Sequence, residues 1–248
     1  MSAEPTRAQA EEFVPVAGGD VLLWTARSGT GRPVLLASGG PGCCDYLQPV
    51  AAMLDDVADV IRFEPRGCGR STATGPYEFA TCIEDIERLR EHFGTERWIV
   101  GGHSWGADLA LSYALAHRDR VEAVLYICGH GFHDDRGWSE VYHRELDARG
   151  ELQPEYAYPP NHEVNRVGNA SFRSTIQRPT LLRELPAFDA PTLIVCAGRD
   201  IRPNWPAEQL ARLLPRARSV QIDLAEHSLW MTHPDELRSA LRDFMAEL

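Results

Sequence analysis

The chain contains no lysine; all 25 of its basic residues are arginine. A lysine Schiff base, as in pyridoxal-phosphate enzymes, is therefore excluded. So is a Walker phosphate loop, which needs its lysine. Positive charge is scarce altogether: 36 acids leave a formal net charge of −11. That argues against a nucleic-acid-binding face and against an anionic membrane as partner. No apolar run reaches the roughly 18 residues that a membrane helix needs. The stretch MSAEPTRAQAEEF at the N-terminus is polar and carries acids, without the apolar core of a secretory signal. A cytoplasmic protein is expected on that ground. The cysteines (Cys43, Cys44, Cys68, Cys82, Cys128, Cys196) show no CxxC pairing for zinc. They are expected to be reduced and buried as small hydrophobes.

What is present is a core. The chain has 248 residues, of which 44% are hydrophobic, within the range of one large α/β domain. FVPVAGGDVLLWTAR predicts a hairpin turning at Gly18, Gly19 and Asp20. PVLLASGG, VADVIRFEPRG, RWIVGG, VEAVLYICG and PTLIVCAG predict buried strands, and ARSVQIDL is a further candidate. Between them, Phe79, Cys82, Ile83, Ile86, Leu89 and Phe93 recur at helical spacing, with Gly94 as the stop. ADLALSYALAH predicts a second helix, and PDELRSALRDFMAEL a terminal one opened by Pro234. Alternating apolar strands and helices imply a mostly parallel sheet covered on both faces. The alternation breaks from about Gly129 to Asp189, where the chain is polar and reads as irregular. This predicts a core of residues 1–128 and 190–248 with a cap inserted at 129–189. From Asp134 to Glu163 the cap holds eight acids against three arginines. They are either a solvated surface or a filter for cationic substrates.

The chemistry-bearing stretch is GGHSWGADLAL. A serine hydroxyl is a poor nucleophile at neutral pH; it needs a base, a group to orient the base, and donors for the oxyanion. Ser104 lies between Gly102 and Gly106, with a strand before it and a helix after it, the context of a nucleophile elbow. The Trp105 N–H, first in the helix, is one expected oxyanion donor. The other is the N–H of Gly40 in SGGPG, at the end of an earlier strand. In chain order the acid should follow the serine, and the histidine the acid. Asp200, just past PTLIVCAG, is the expected acid, with Asp223 and Glu226 as rivals. His227, past the last strand, is the expected base, with His233 as its rival. Asp108 is read as structural, and His103 as pointing away from the elbow's apex. RGCGRS lacks the full GxGxxG pattern, so no nucleotide site is expected. His130, His133 and Asp134 could ligate a metal, but as polar residues of a cap loop they are expected to be solvent-exposed, and neither metal nor cofactor is expected.

These motifs together resemble the α/β-hydrolases, and within them the proline iminopeptidase-like branch. SGGPG, EPRGCGRS and GGHSWG match that branch's HGGPG, DxRGxGxS and GGSWG. The resemblance continues through AGRDIRPNW and AEHSLWMTHPDELRSALRDF, where the family's acid and histidine fall on Asp200 and His227. It implies acyl transfer to water, with Ser104 attacking, His227 moving the proton and Asp200 orienting it. The substrate expected is a small-molecule ester, thioester or amide, or a short peptide releasing its N-terminal residue. Departures are Ser38 for the family's histidine, His103 within the elbow, Ala197 for a glycine, and a shorter insert. Alternatives on the same fold are a non-catalytic ligand receptor and a Ser-His lyase or carbon–carbon hydrolase.

Overall fold

The computed structural model describes residues 9–132 and 136–248. Eight strands form one sheet: β1 (Ala10–Val16), β2 (Val21–Gly29), β3 (Arg32–Ala37), β4 (Ala58–Phe63), β5 (Trp98–His103), β6 (Val121–Ile127), β7 (Thr192–Ala197) and β8 (Ala217–Ile222). Their order is β1-β2-β4-β3-β5-β6-β7-β8. β1 pairs antiparallel with β2, and β2 with β4; every pairing from β4 to β8 is parallel. The helices are α1 (Gln48–Ala51), α2 (Phe79–His92), α3 (Trp105–Ala116), α4 (Arg136–Arg149), α5 (His162–Ile176), α6 (Leu181–Glu184), α7 (Trp205–Leu213), α8 (Leu229–Thr232) and α9 (Pro234–Ala246).

The pleat sorts each apolar run onto two faces. Leu35, Val100, Val124 and Ile194 pack on one side with α2, α3 and α7. Val34, Leu36, Ile99, Leu125 and Leu193 pack on the other with α1, α8 and α9. Both faces are covered, which is why the strands read as continuous hydrophobic runs. α3 is buried from Trp105 through Leu115, so it is apolar on all sides rather than amphipathic. The expected hairpin, strands and terminal helix are all present. No helix among the described residues is long and apolar enough to cross a membrane.

One expectation is corrected. The polar segment between β6 and β7 is largely helical, carrying α4, α5 and α6. Its helices look irregular in sequence because they bury little. No residue of α4 is buried, and α5 buries only Val164, Gly168 and Phe172. The described carboxylates of this segment are exposed or paired: Glu145 lies between Arg144 and Arg149, and Glu151 pairs with Arg202. His133, Asp134 and Asp135 lie outside the described residues.

Candidate active site

The parallel strands end on one edge of the sheet, and the loops leaving them gather the predicted residues. Ser104 sits between β5 and α3 at φ 58° and ψ −128°. That is the first central conformation of a type II′ turn, which glycine favours and a side chain resists. The turn is held in place by hydrogen bonds. The Ser104 N–H donates to the Ile127 carbonyl at 2.9 Å, and the Ser104 carbonyl accepts from Ala107 at 2.9 Å. The flanking glycines are needed for contact. A Cβ at Gly102 would collide with the Gly106 backbone, and one at Gly106 with the Ala37 carbonyl. Only hydrogen at these positions lets α3 start against the end of β3.

Asp200 lies on the loop after β7 and His227 on the loop after β8. His227 Nδ1 is 2.5 Å from Asp200 Oδ2, and both side chains are buried. Since the carboxylate can only accept, Nδ1 carries the proton and Nε2 is left as a basic lone pair. Burial lowers the His227 pKa, and Arg202 lowers it further against the pull of Asp200. The imidazole is thus kept neutral and able to take a proton. Burial works against the Asp200 charge, but His227 and Arg202 outweigh it and hold the carboxyl well below its usual range. Among the described residues no hydrogen bond joins the Ser104 hydroxyl to His227. Their loops meet through His103, whose Nε2 is 2.9 Å from the His227 carbonyl.

The loop expected to supply an oxyanion donor follows β3. Gly40 has φ +64°, and its carbonyl accepts from the Cys43 N–H at 2.8 Å. The Gly39 N–H is taken by the Tyr46 hydroxyl at 2.7 Å. Among the described residues, the N–H groups of Gly40 and Trp105 have no acceptor. Two donors near a nucleophile are what an oxyanion hole requires.

The segment after β6 is fixed to this edge. The Asn161 N–H donates to the Gly42 carbonyl at 2.9 Å, and Asn165 Nδ2 to the Pro41 carbonyl at 3.0 Å. A Cβ at Gly168 would stand 2.9 Å from Pro41 Cβ. Asp108, buried in the first turns of α3, accepts from the Tyr126 hydroxyl at 2.5 Å and contacts His130 Nδ1 at 2.9 Å. It anchors the chain leaving β6 and has the structural part expected of it. His103, Cys128 and His227 bring their ligating atoms within 4.8 Å of one another. Both His103 nitrogens are already engaged, by Tyr46 and the His227 carbonyl, so this set is committed to hydrogen bonding.

Of the rivals, His233 begins α9 as its N-cap residue. Asp223 is exposed and paired with Gln221, and Glu226 lines a cavity of about 300 Å³ beside His227 together with Arg149, Arg199 and Ile201. Three residues of the site escape sequence reasoning. Arg202 donates its backbone N–H to Asp200 Oδ1 at 2.9 Å, while its guanidinium pairs with Glu151 of the inserted segment. Tyr46 and His103 join the Gly39–Gly42 loop to the His227 loop. No local pattern marks the pairs Arg202–Glu151 and Tyr46–His103, because these partners are remote in sequence.

A serine on a strained strand-to-helix turn and a buried His–Asp pair, all on loops at the carboxyl edge of a parallel sheet, define a class of α/β enzyme scaffold. The family model for the alpha/beta hydrolase fold matches residues 32–157, and the chain belongs to that family. A proline iminopeptidase of Neisseria meningitidis serogroup A is 36% identical over 104 residues, covering 38% of this chain and 32% of that protein. The expected likeness to that branch is therefore present over part of the chain, which spans about a third of that relative's length. A protein of Azorhizobium caulinodans named "Putative carbamate hydrolase RutD" is 28% identical over 258 residues, covering 93% of this chain and 97% of the other. Among solved structures, a thermophilic esterase from Thermogutta terrifontis has a TM-score of 0.76 at 24% identity, with 97% of this chain and 98% of the other covered. At that identity the likeness is one of fold.

Proposed function

We propose that the chain is a serine hydrolase that cleaves an ester, thioester or amide bond of a small molecule. Ser104 is the nucleophile, His227 the base, Asp200 its orienting acid, and the N–H groups of Gly40 and Trp105 the oxyanion donors. Residues 129–189 act as a cap on a core of 1–128 and 190–248. The carrying observation is the buried 2.5 Å contact of His227 Nδ1 with Asp200 Oδ2, on the same edge of the sheet as the strained Ser104 turn.

Ser104 Oγ attacks the carbonyl carbon as its proton passes to His227 Nε2. The electron pair of the C=O bond moves onto oxygen, which the two N–H groups bind. The tetrahedral adduct collapses, and the leaving group departs with the proton from His227. Water then repeats the sequence on the acyl-enzyme, releasing the acid and restoring Ser104. Asp200 remains ionised throughout and compensates the imidazolium.

The described cap carboxylates are exposed or already paired, so uncharged acyl substrates are expected to be turned over in preference to those carrying a free amine. Glu151, which shares Arg202 with Asp200, is already neutralised by it. A fluorophosphonate should label wild-type protein and not Ser104→Ala, and His227→Ala should lose p-nitrophenyl acetate turnover. Labelling that persists in Ser104→Ala would refute the assignment. Faster turnover of prolyl-2-naphthylamide than of neutral esters of similar size would instead place the chain with the iminopeptidases.

A further inference from the structure

We propose that Tyr46 and His103 form a bridge that locks the oxyanion loop to the loop carrying His227, holding donors and base in one frame. The proposal rests on the serine hydrolase reading for its catalytic consequence, but the bridge itself is a matter of geometry.

The donors and acceptors along it can be assigned without choice. The Gly39 N–H can only donate, and it meets the Tyr46 hydroxyl at 2.7 Å. The His227 carbonyl can only accept, and His103 Nε2 lies 2.9 Å from it. Nε2 therefore carries a proton. Burial, with His227 adjacent, holds the His103 pKa well below its usual value, so the ring is neutral and Nδ1 is a lone pair. The Tyr46 hydroxyl, 2.8 Å from Nδ1, must then donate. One direction of hydrogen bonding runs from Gly39 through Tyr46 and His103 to His227, with every polar atom used. Such chains are strengthened by mutual polarisation and the low local dielectric.

Packing fixes the two side chains that carry the bridge. Tyr46 stacks on Trp230 at 5.7 Å between ring centroids, and His103 meets the same indole edge-on at 4.8 Å. The His103 and His227 rings lie 4.4 Å apart. Tyr46 also sits where a Cβ on Gly39 would be, 2.6 Å from its hydroxyl, so the oxyanion loop is pressed against it. His103 replaces the second glycine of the GGSWG elbow noted above, and a glycine there could not close the chain. His103 is thus a positioning residue: both its nitrogens are spent on Tyr46 and the His227 carbonyl, and it acts through the backbone on either side.

The test compares Tyr46→Phe, His103→Leu, the double variant and His103→Gln. Tyr46→Phe keeps the stacking and removes only the hydroxyl. It should lower kcat for p-nitrophenyl acetate about 10- to 100-fold with little change in KM, as expected when a reacting geometry loosens. The double variant should be no slower than the slower single, because one broken link disables the whole bridge. His103→Gln, which keeps a donor and an acceptor, should recover part of the loss. Wild-type kcat in Tyr46→Phe, or losses that multiply in the double variant, would overturn the proposal. Amide hydrogen exchange supplies an arm independent of turnover. Tyr46→Phe should speed exchange both at residues 38–42 and at residues 223–228; faster exchange at 38–42 alone would show a local contact and overturn the bridge. Absence of fluorophosphonate labelling in the wild type would instead defeat the hydrolase reading and leave the exchange result to decide the bridge.

Discussion

The backbone of Ser104 makes a quantitative prediction that separates a nucleophile elbow from an ordinary turn. At φ 58° and ψ −128° the Cβ is crowded by its own backbone, at a cost of about 1–3 kcal/mol. Neighbouring hydrogen bonds to Ile127 and Ala107 hold it there. Removing the hydroxyl as Ser104→Ala keeps the Cβ and the strain, whereas Ser104→Gly removes both. Glycine also loses more entropy on folding, about 0.5–1 kcal/mol relative to alanine. The difference favours Ser104→Gly over Ser104→Ala by up to about 2.5 kcal/mol. At about 2–4 °C per kcal/mol for a domain of this size, that raises the melting temperature by up to about 10 °C. Both variants should be inactive, so stability is compared free of turnover. Calorimetry of the pair at one pH is the assay. In an unstrained turn glycine would melt below alanine, and that order would refute the elbow.

Other consequences are as direct. Arg202 lowers the His227 pKa, and it leaves Glu151 unpaired if removed alone. The paired change Arg202→Met with Glu151→Gln should raise that pKa, moving the acid limb of kcat/KM to higher pH; an unmoved or lowered limb contradicts it. His103 and His227 are both held neutral below their ordinary value of 6.5, so the unfolded chain binds more protons there. Stability should fall as pH drops below about 6.5, by up to about 1.4 kcal/mol per pH unit for each group. Urea midpoints at several pH values would show it, and His103→Gln should flatten the slope. Gly42 has φ +95°, and a Cβ there would collide with the Asn161 carbonyl. Gly42→Ala should cost about 2–4 kcal/mol in urea unfolding and reduce turnover; a neutral substitution would mean that α5 does not press on the oxyanion loop.

The sheet is legible because its strands are buried on both faces and so are written as unbroken apolar runs. The elbow is legible because contact with Ala37 and Gly106 forces glycines at fixed spacing around Ser104. Asp200 and His227 are legible as neighbours because each follows directly on a strand of that sheet. The inserted segment is not, since its helices lie on the surface and have little apolar face to show. α5 still carried a signal: Asn161 caps it, and Val164, Gly168 and Phe172 recur every four residues on its buried side. The polar network was beyond reach for another reason. Arg202 and Glu151 stand 51 residues apart, and Tyr46 and His103 stand 57 apart. No periodicity connects residues that only the fold brings together.

The seating of α5 on the oxyanion loop bears on how such a protein can change its specificity. Asn161 and Asn165 hold the carbonyls of Gly42 and Pro41, and Gly168 lets the helix approach Pro41 closely. Under the proposed function, the segment that would shape the ligand space is also a brace for the loop that would polarise the carbonyl. Exchanging residues 129–189 for a segment from a relative would alter both at once. A transplanted segment would work only if it brought its own pair of amides and a small residue one helical turn beyond. Substitutions on the exposed side of α5 leave that seat intact, and are the freer route to a new substrate.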